Sequence, residues 1–395
     1  KLSDQGLLEK SQIKKFIVEE IKDKKFGDFS SNVSMVHSKS VKMKPIEFAE
    51  SIVKAISKSD FISNISIAGP GFINFHLNKN LLSNIIFEIN EKKENYGKSN
   101  YGKNKKIHIE FVSANPTGPL HVGHGRGAAY GSVIANLLNA IGFEVHREYY
   151  VNDAGRQMDI LALSVWFRYL ELIDSKFNEY FPTNCYQGDY IQDIAAKLLR
   201  EQGDIYFFPL DKIFPEELNN KSQKLDEEKN IDFLISKAKS LLDKKDYDYI
   251  YNSGLNMILG DISNDLSLFK VDFDEWFYES SLLKKENLID KAMQYLGELG
   301  LTYKKDKAVW FRAKEFNDEK DRVLIRENGK YTYFASDIAY HLSKIEKGFD
   351  QIINIWGADH HGYVPRIKAA VEAILKKSNK LNFLLVQFAV LYEGG

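Results

Sequence analysis

One segment of the sequence reads Glu110-Phe111-Val112-Ser113-Ala114-Asn115-Pro116-Thr117-Gly118-Pro119-Leu120-His121-Val122-Gly123-His124-Gly125-Arg126-Gly127. A predicted strand, Ile107-His108-Ile109-Glu110-Phe111, leads into it. A predicted helix follows it, because apolar residues recur at helical spacing at Val133, Ile134, Leu137, Leu138 and Ile141. Gly142 ends this helix and another strand begins at Phe143. A strand, a helix and a strand in succession predict a βαβ unit of a parallel sheet, which presents ligand-binding residues at the carboxyl ends of its strands.

Alternating strands and helices return late in the sequence. Residues 351–356 predict a strand, and a helix follows with apolar positions at Val364, Ile367, Val371, Ile374 and Leu375. Residues 175–284 are mostly helical and highly charged, and we interpret them as an insertion. We therefore expect an α/β fold: a Rossmann-like parallel-sheet domain, formed by residues 101–174 and 285–395 around the helical insertion, plus a small N-terminal α/β domain at residues 1–100.

The N-terminal domain is predicted from short elements. An amphipathic helix is expected over Gly6 to Ile21, and a second helix is expected after Pro45. Strands are expected at residues 65–67 and 72–77, because the latter alternates with period two. The charged residues 91–106 are expected to form a linker.

Composition limits the class of protein. Of the 395 residues, 44% are hydrophobic, which is enough for more than one cored domain. No apolar run approaches the ~20 residues needed to cross a bilayer, and Lys1-Leu2-Ser3-Asp4 lacks both an initiator Met and a secretory signal pattern. The single cysteine, Cys185, excludes an intrachain disulfide and a Cys-clustered zinc site. With 54 basic against 55 acidic residues, global charge does not indicate nucleic-acid binding. We expect a cytoplasmic protein without a membrane partner.

Two histidines, His121 and His124, are predicted at the start of the helix and one turn apart. The glycines around them leave room for a flat base or a phosphate to approach the backbone. A helix N-terminus already favours an anion, and imidazole donors would add stabilisation where charge develops. Two incidental histidines in a glycine-rich turn are the alternative interpretation.

The motif His121-Val122-Gly123-His124, placed between a strand and a helix, resembles the first ATP motif of class I aminoacyl-tRNA synthetases and of nucleotidylyltransferases. The longer run Ala114-Asn115-Pro116-Thr117-Gly118-Pro119-Leu120-His121-Val122-Gly123-His124 resembles that of arginyl-tRNA synthetases in particular. The resemblance continues through residues 150–158 and 331–340 and through Trp356-Gly357-Ala358-Asp359-His360-His361-Gly362-Tyr363. Phe26-Gly27-Asp28-Phe29 and residues 69–74 resemble the N-terminal domain of the family, which contacts the tRNA elbow.

The resemblance implies a set of site residues. Those expected around arginine are Glu110, Ser113, Asn115, Tyr333 and Asp337. Those expected around ATP are Gly118, Pro119, His121, Gly123, His124, Gly127, Asp359 and His360, with His121 and His124 as the catalytic pair. A selective pocket for a guanidinium group needs carboxylates that accept its paired donors, which suits Asp337 and Glu110.

Each of these residues also has an ordinary structural interpretation. Asp337 would stabilise a helix N-terminus, Glu110 would face outward from a strand, and Asp359 and His360 would belong to an ordinary loop. Asn152, Asp153 and Gln157 are expected to line the same cleft without an assigned role.

The resemblance implies activation of L-arginine by ATP with Mg²⁺, transfer to tRNA(Arg), and a requirement for tRNA in the activation step. We expect a monomer and no zinc. The family's Lys-Met-Ser-Lys-like loop and helical anticodon-binding domain would follow Leu391-Tyr392-Glu393-Gly394-Gly395. We therefore expect this sequence to be part of a longer protein and a poor catalyst alone. A nucleotidylyltransferase that shares the histidine motif and a non-catalytic synthetase-like binding protein are the alternatives.

Overall fold

The structure is a computed structural model that describes residues 7–9, 11, 13–214, 227–284, 287–375, 379–387, 389, 390 and 392. The chain separates into two compact units, Lys1–Lys98 and Ser99–Gly395. Residues 391 and 393–395, after which the sequence predicts a second ATP motif, lie outside the described residues. Among the residues that the structure describes, no helix combines the length and apolar character needed to cross a membrane.

In the described part of the first unit, an antiparallel sheet is accompanied by three α-helices. Its elements are β1 (Val18–Glu20), β2 (Phe29–Ser31), α1 (Val33–Val41), α2 (Pro45–Ala55), β3 (Ile62–Ala68), β4 (Phe72–Leu77) and α3 (Lys79–Lys92). The strand order is β1-β2-β4-β3. Phe48, Ala49 and Ile52 of α2 are buried with Ile73 of β4 and with Leu8. The predicted helix after Pro45 and the strand at residues 72–77 are confirmed.

The helix predicted over Gly6 to Ile21 is wrong for the described part of that range. Val18–Glu20 instead forms β1 and pairs with β2. Before it, backbone N–H groups are bound by side chains rather than by a helical carbonyl: Lys14 N donates to His37 Nε2 at 2.8 Å, and Ile17 N donates to Asn32 Oδ1 at 2.9 Å. Tertiary hydrogen bonds therefore override a weak helical periodicity.

The second unit is built on a parallel sheet. Its strands are β5 (Lys106–Glu110), β6 (Glu144–Val151), β7 (Glu275–Tyr278), β8 (Thr302–Lys305), β9 (Ala308–Phe311), β10 (Arg322–Ile325), β11 (Gln351–Gly357) and β12 (Leu381–Val386). The main sheet has the order β12-β11-β5-β6-β7 with every neighbouring pair parallel. β8, β9 and β10 form a small antiparallel sheet. The expected α/β fold with a Rossmann-like parallel sheet is confirmed.

Helices cover the main sheet and extend away from it. They are α4 (Val122–Ala140), α5 (Arg156–Ile173), α6 (Asp189–Gln202), α7 (Leu210–Ile213), α8 (Glu227–Leu241), α9 (Lys244–Leu268), α10 (Leu288–Glu298), α11 (Tyr333–Glu346) and α12 (Val364–Ile374). α5 is buried along most of its length and packs against α6, α8 and α9. α10, α11 and α12 share a second hydrophobic core with Ile352 of β11.

The connection from β5 to α4 requires close packing. A Cβ atom on Gly131 of α4 would lie 2.3 Å from the ring of Phe111, which follows β5. Only glycine lets the helix approach this ring, so the βαβ unit predicted from the sequence is held by a specific contact.

One strand of the main sheet lies inside residues 175–284, which the sequence assigns to an insertion. β7 pairs in parallel with β6, so that Glu148 aligns with Glu275 and Val151 with Tyr278. The strand has four residues and stands between charged helical segments. A strand this short gives little periodicity to recognise, although it places its carboxyl end at the same edge of the sheet as β5 and β6.

Candidate functional site

The turn after β5, at the carboxyl edge of the sheet, has backbone φ angles that are unusual for residues other than glycine. Val112 and Ser113 have φ values of 66° and 44°, in a region that a β-branched residue rarely adopts. Ser113 Oγ accepts a hydrogen bond from Tyr150 N at 3.1 Å, and Tyr149 Oη donates to Ala114 O at 2.9 Å. Contacts with β6 therefore stabilise this strained turn next to Glu110 and Asn115.

A cavity of about 560 Å³ opens at the carboxyl ends of β5, β6, β7 and β11. We call it the acidic cavity, because four acidic residues line it: Asp359, and the group formed by Asp337 with Glu110 and Glu279, whose charges act on Asp337. Its other lining residues are Val112, Ser113, Asn115, Tyr150, Asn152, Tyr333, Ser336, Tyr340, His341, Ile355, Trp356, Gly357, His360 and Tyr363. All five residues that the sequence analysis expects around arginine thus line one cavity.

Asp337 lies in the second turn of α11 and is held by a residue from another element. The Tyr363 hydroxyl donates a hydrogen bond to Asp337 Oδ2. Burial raises the pKa of Asp337 to about 7, and the nearby carboxylates of Glu279 and Glu110 act in the same direction. Burial likewise raises the pKa of Glu279, with Asp153 adding to the effect. Two carboxyl groups that face a common space therefore resist ionisation, as expected for a site suited to a cation.

Glu110 differs from Asp337 and Glu279 because a cation already contacts it. Lys344 Nζ lies 2.7 Å from Glu110 Oε2, and the Tyr340 hydroxyl donates to the same oxygen at 3.1 Å. Burial alone would raise the pKa of Glu110, but the ammonium group outweighs burial and holds that pKa below its usual range. Ser113 Oγ lies 3.4 Å from the other oxygen, Oε1. Glu110 thus lines the cavity as an ionised hydrogen-bond acceptor, and the ammonium group of Lys344 already balances part of its negative charge.

Asn115 forms a short chain of amide hydrogen bonds at the mouth of the acidic cavity. Its Nδ2 donates to Gln157 Oε1 at 3.0 Å, and its Oδ1 accepts from Asn152 Nδ2 at 3.1 Å. Asn152 lines the cavity. Asp153 instead accepts hydrogen bonds from Ser280 N and Ser280 Oγ at 2.8 and 2.6 Å. Asp153 therefore fixes the turn that follows β7 and so the position of the neighbouring Glu279.

A second cavity of about 280 Å³ adjoins the first, and we call it the glycine cavity. The residues that line both are Val112, Ser113, Asn115, Ile355, Trp356, Gly357, Asp359 and His360. Gly123, His124 and Gly127 line only the glycine cavity. The eight shared residues thus form a wall between the two cavities. The start of α4 lines the cavity on one side of this wall, and Glu110, Glu279 and Asp337 line the cavity on the other side.

His121 and His124 cap the N-terminus of α4 reciprocally. Gly123 N donates to His121 Nδ1 at 3.1 Å, and His121 N donates to His124 Nδ1 at 3.3 Å. The two rings stack with centroids 3.9 Å apart. Burial, with a contribution from His121, lowers the pKa of His124. Beside the positive end of the helix, the His124 ring therefore favours its neutral form.

Three residues expected around ATP line neither cavity: His121, Gly118 and Pro119. His121 and Pro119 are exposed. A Cβ atom on Gly118 would lie 3.1 Å from the Tyr190 hydroxyl, which donates to Thr117 O at 2.7 Å. Gly118 therefore packs against α6. The other residues expected around ATP, namely Gly123, His124, Gly127, Asp359 and His360, line the glycine cavity together.

Sequence reasoning missed Glu279. It directly follows β7, just as Glu110 closes β5, and the only available signal was an acid after the apolar run Trp276-Phe277-Tyr278. That run lay within the range interpreted as a helical insertion. The omission of the short strand β7 and the omission of Glu279 therefore have one cause.

One cluster of potential metal ligands lies outside the two cavities. Among the described residues, His146, Glu148 and Glu275 bring ligand atoms within 4.8 Å of one another. However, Lys347 Nζ lies 2.8 Å from both carboxylate oxygens of Glu275. An ammonium group thus already provides the positive charge there. Among the described residues that line the glycine cavity, Asp359 is the one carboxylate.

Family models match both units of the chain. Residues 2–77 match the model described as arginyl tRNA synthetase N terminal domain. Residues 85–391 match the model described as tRNA synthetases class I (R), catalytic domain.

Individual proteins named arginine–tRNA ligase are similar over nearly the whole chain. The protein from Thioalkalivibrio sulfidiphilus is 53% identical over 378 residues, covering 95% of this chain and 63% of that protein. The protein from Coxiella burnetii is 50% identical over 375 residues, covering 94% of this chain and 62% of that protein. The chain therefore spans less than two thirds of the length of these curated relatives.

Solved structures give the same fold. A Campylobacter jejuni structure assigned to the arginyl-tRNA synthetases has a TM-score of 0.64 at 32% identity and covers 79% of this chain and 60% of that chain. The arginyl-tRNA synthetase of Thermus thermophilus has a TM-score of 0.62 and covers 98% of this chain and 63% of that chain. Its identity is 19%, so this second likeness supports the fold alone.

Proposed function

Because the chain belongs to the class I arginyl-tRNA synthetase family, we propose that the full-length protein activates L-arginine with ATP and transfers it to tRNA(Arg). The observation that carries this proposal is the shared wall between the acidic cavity and the glycine cavity. A forked cation in the first would lie beside a nucleotide in the second. The family match favours neither a nucleotidylyltransferase nor a non-catalytic binding protein.

The acidic cavity would bind arginine by its guanidinium group. Asp337 and Glu279 are the carboxylates whose pKa values are raised in the absence of a cation. A guanidinium group would favour their ionised forms and would donate paired N–H hydrogen bonds to their oxygens. Glu110 would add an acceptor whose position is set by Lys344. Tyr333 would form a wall at the exposed end of α11, and Asn115 with Ser113 would meet the end of arginine that carries the amino and carboxylate groups.

The glycine cavity would bind ATP. Gly123 and Gly127 leave the first turns of α4 open to a flat base or a phosphate, and the helix N-terminus favours negative charge. His124 would donate a hydrogen bond to phosphate oxygens, while His121 would act mainly by capping α4 and stacking on His124. Asp359 and His360 would contact the nucleotide from the opposite wall. Gly118 and Pro119 would support the turn rather than touch ATP.

The reaction would need no side-chain nucleophile. The carboxylate oxygen of arginine attacks the α-phosphorus of ATP, the bond to the β-phosphate bridge breaks, and pyrophosphate leaves with the electron pair. The protein would contribute by positioning both substrates and by stabilising charge on the phosphates. Mg²⁺ would enter with ATP and neutralise phosphate charge. It would be held mainly by phosphate oxygens, because Asp359 is the one carboxylate among the described residues that line the glycine cavity. The terminal hydroxyl of tRNA would then attack the carbonyl carbon of the arginyl-adenylate, the bond from that carbon to the phosphate oxygen would break, and AMP would leave.

We propose residues 1–100 as a tRNA-contacting domain, in line with the family description that matches residues 2–77. Residues 101–174 and 285–395 would form the catalytic halves around the insertion 175–284, with β7 of that range counted in the catalytic sheet. A monomeric, cytoplasmic protein remains our proposal, and sedimentation of the full-length protein together with cell fractionation would test it.

Arginine-dependent exchange of pyrophosphate into ATP tests the proposed function. With the full-length protein and tRNA(Arg) present, L-arginine should support exchange, whereas L-lysine and L-citrulline should not. Lysine would leave buried acceptors unpaired, and citrulline lacks the charge. An Asp337→Asn variant should lose exchange while remaining folded. Wild-type exchange that is independent of arginine, or absent altogether with tRNA present, would reject the proposal.

A further inference from the structure

A row of polar side chains crosses the main sheet beneath α11. The parallel register aligns Asn354 of β11 with Glu110 of β5, Glu110 with Glu148 of β6, and Glu148 with Glu275 of β7. Aligned residues of neighbouring strands point to the same face of a sheet. Glu110 and Glu148 are 4% and 0% exposed. Carboxylates buried this deeply are costly unless cations compensate them.

Lys344 of α11 compensates the buried part of this row. Its side chain is fully buried, and its Nζ lies 2.7 Å from Glu110 Oε2 and 3.9 Å from Glu148 Oε1. It also donates to Asn354 Oδ1 at 3.2 Å. The ammonium group therefore contacts three neighbouring strands of the sheet through one atom.

The residue that follows α11, Lys347, is a second lysine with different partners. Lys347 Nζ lies 2.8 Å from the oxygens of Glu275 and 3.6 Å from Glu148 Oε2, and its side chain is 36% exposed. It has no described contact with Glu110. The two lysines therefore contact different parts of the row. Of the two, Lys344 contacts Glu110, the carboxylate that lines the acidic cavity, and Lys347 contacts Glu275 and Glu148.

Lys344 lies on the same face of α11 as the residues of the acidic cavity. Tyr333, Asp337 and His341 line that cavity and precede Lys344 at intervals of one turn. His341 is fixed by two hydrogen bonds, since its Nδ1 lies 2.8 Å from Asp337 O and its Nε2 accepts from Asn354 Nδ2 at 2.8 Å. Lys344 does not line the cavity itself, and its influence on a ligand would pass through Glu110.

We propose that Lys344 is a positioning residue for arginine, which holds the Glu110 carboxylate against the sheet so that its second oxygen, Oε1, faces the ligand. The inference rests on the proposed function. With Lys344 in place, the charge of Glu110 is balanced internally, and the guanidinium charge is met by Asp337 and Glu279. Without Lys344, Glu110 loses the ammonium group that fixes its orientation. Protons then compete with arginine at the carboxyl group of Glu110 as well as at those of Asp337 and Glu279.

Lys344→Met and Lys347→Met in the full-length protein form a matched pair of variants. Each removes one ammonium group at the C-terminal end of α11 and keeps most of the length of the side chain. Lys344→Met should weaken arginine binding, measured by calorimetry, by about tenfold or more, as expected when a charge-assisted hydrogen bond in the site is lost. Its KM for ATP should stay within about twofold of wild type. Lys347→Met should leave both values within about twofold.

A second variant covers the case in which Lys344→Met fails to fold. The double variant Lys344→Met with Glu148→Gln removes one buried charge of each sign, so it should fold even though Glu110 still lacks its ammonium partner. A folded double variant that binds arginine weakly supports the positioning role. A folded variant of either kind with wild-type arginine affinity would overturn it. Loss of folding in both variants would overturn it as well, because Lys344 would then serve the fold rather than the arginine site.

The wild-type protein separates this inference from the proposed function. If the wild type binds no arginine, the proposed function fails, and the role of Lys344 in arginine binding fails with it. If the wild type binds arginine and the Lys344 variants do so equally well, only the positioning role fails. The pH dependence gives a further readout that a purely structural role would not change: the pH at which arginine affinity falls should be higher in the folded Lys344 variant.

Discussion

The hydroxyl group of Tyr363 donates a hydrogen bond to Oδ2 of Asp337 and thereby joins two elements of the acidic cavity. Asp337 belongs to α11, whereas Tyr363 follows the turn at the carboxyl end of β11. This bond favours the ionised carboxylate, although burial outweighs it and leaves the pKa of Asp337 at about 7. A cation entering the cavity would meet Oδ1, the oxygen on the other side of the carboxyl group.

Arginine affinity should therefore depend on pH. Below its pKa of about 7, Asp337 is protonated in the ligand-free cavity, and a guanidinium binds the ionised form. Protons then compete with arginine, so the dissociation constant should rise by up to about tenfold for each pH unit below that pKa and level off above it. Calorimetry at several pH values measures this dependence. The Asp337→Asn variant is the control, since its weaker binding should lack this transition. A dissociation constant that stays flat through pH 7 in the wild type would contradict the prediction.

Removing the phenolic hydroxyl should shift that transition. Tyr363→Phe deletes the hydrogen bond that favours ionised Asp337, so the pKa of Asp337 should rise further and arginine binding at neutral pH should weaken by about fivefold. At high pH the variant should approach the wild type. The comparison requires only arginine titrations at neutral and alkaline pH. Equal losses at both pH values would show that Tyr363 acts by shape rather than through the charge of Asp337.

Glu279 should contribute to arginine binding as much as Glu110 and Asp337, which the sequence analysis already expected around arginine. Glu279→Gln keeps the size of the side chain and removes a charge from the acidic cavity. Arginine KM in pyrophosphate exchange should rise by about tenfold or more, because a charge-assisted hydrogen bond becomes a neutral one.

The control for Glu279 is the acid at the start of β7, the strand that Glu279 follows. Glu275 lies four residues earlier, pairs with Lys347 and lines neither cavity. Glu275→Gln should therefore leave arginine KM within about twofold of wild type. If both variants behave alike, general charge near β7 rather than a contact from Glu279 would explain the result.

The packing of α4 on the sheet gives a prediction about stability. Gly131→Ala places a methyl group 2.3 Å from the ring of Phe111 and should lower the free energy of unfolding by about 1–3 kcal/mol. Gly260→Ala is the matched change inside α9, where a Cβ atom would meet nothing within 4 Å. It should raise stability by about 0.5–1 kcal/mol, since alanine favours a helix over glycine. Denaturant unfolding followed by tryptophan fluorescence measures both, and a stable Gly131→Ala protein would contradict the packing described.

Sequence periodicity predicted the elements that have long, regular patterns. The strand β5, the helix α4 and the strand β11 followed from apolar spacing, and the glycine-histidine turn between β5 and α4 located the site. The N-terminal helix failed, because hydrogen bonds from residues distant in sequence, His37 and Asn32, take the backbone N–H groups of that segment. Such contacts leave no periodic signal.

The parts of the site that were missed depend on the pairing of strands. β7 joins the sheet more than a hundred residues after β6 along the chain, so Glu279 could be placed beside Glu110 only once that pairing was known. Lys344 appears in the sequence as one lysine on an amphipathic helix, where a solvated position is the usual expectation. Its burial follows from the row of carboxylates on the sheet, which likewise depends on strand register.

A crystal structure of the full-length protein with L-arginine and a non-hydrolysable ATP analogue tests the assignment of the two cavities most directly. The guanidinium nitrogens should lie about 3 Å from the carboxylates of Asp337 and Glu279, with the triphosphate in the glycine cavity beside His124. The arginine carboxylate should face the α-phosphate across the wall that contains Ser113 and Asn115. Arginine bound outside the acidic cavity, or a nucleotide bound away from His124, would contradict this arrangement.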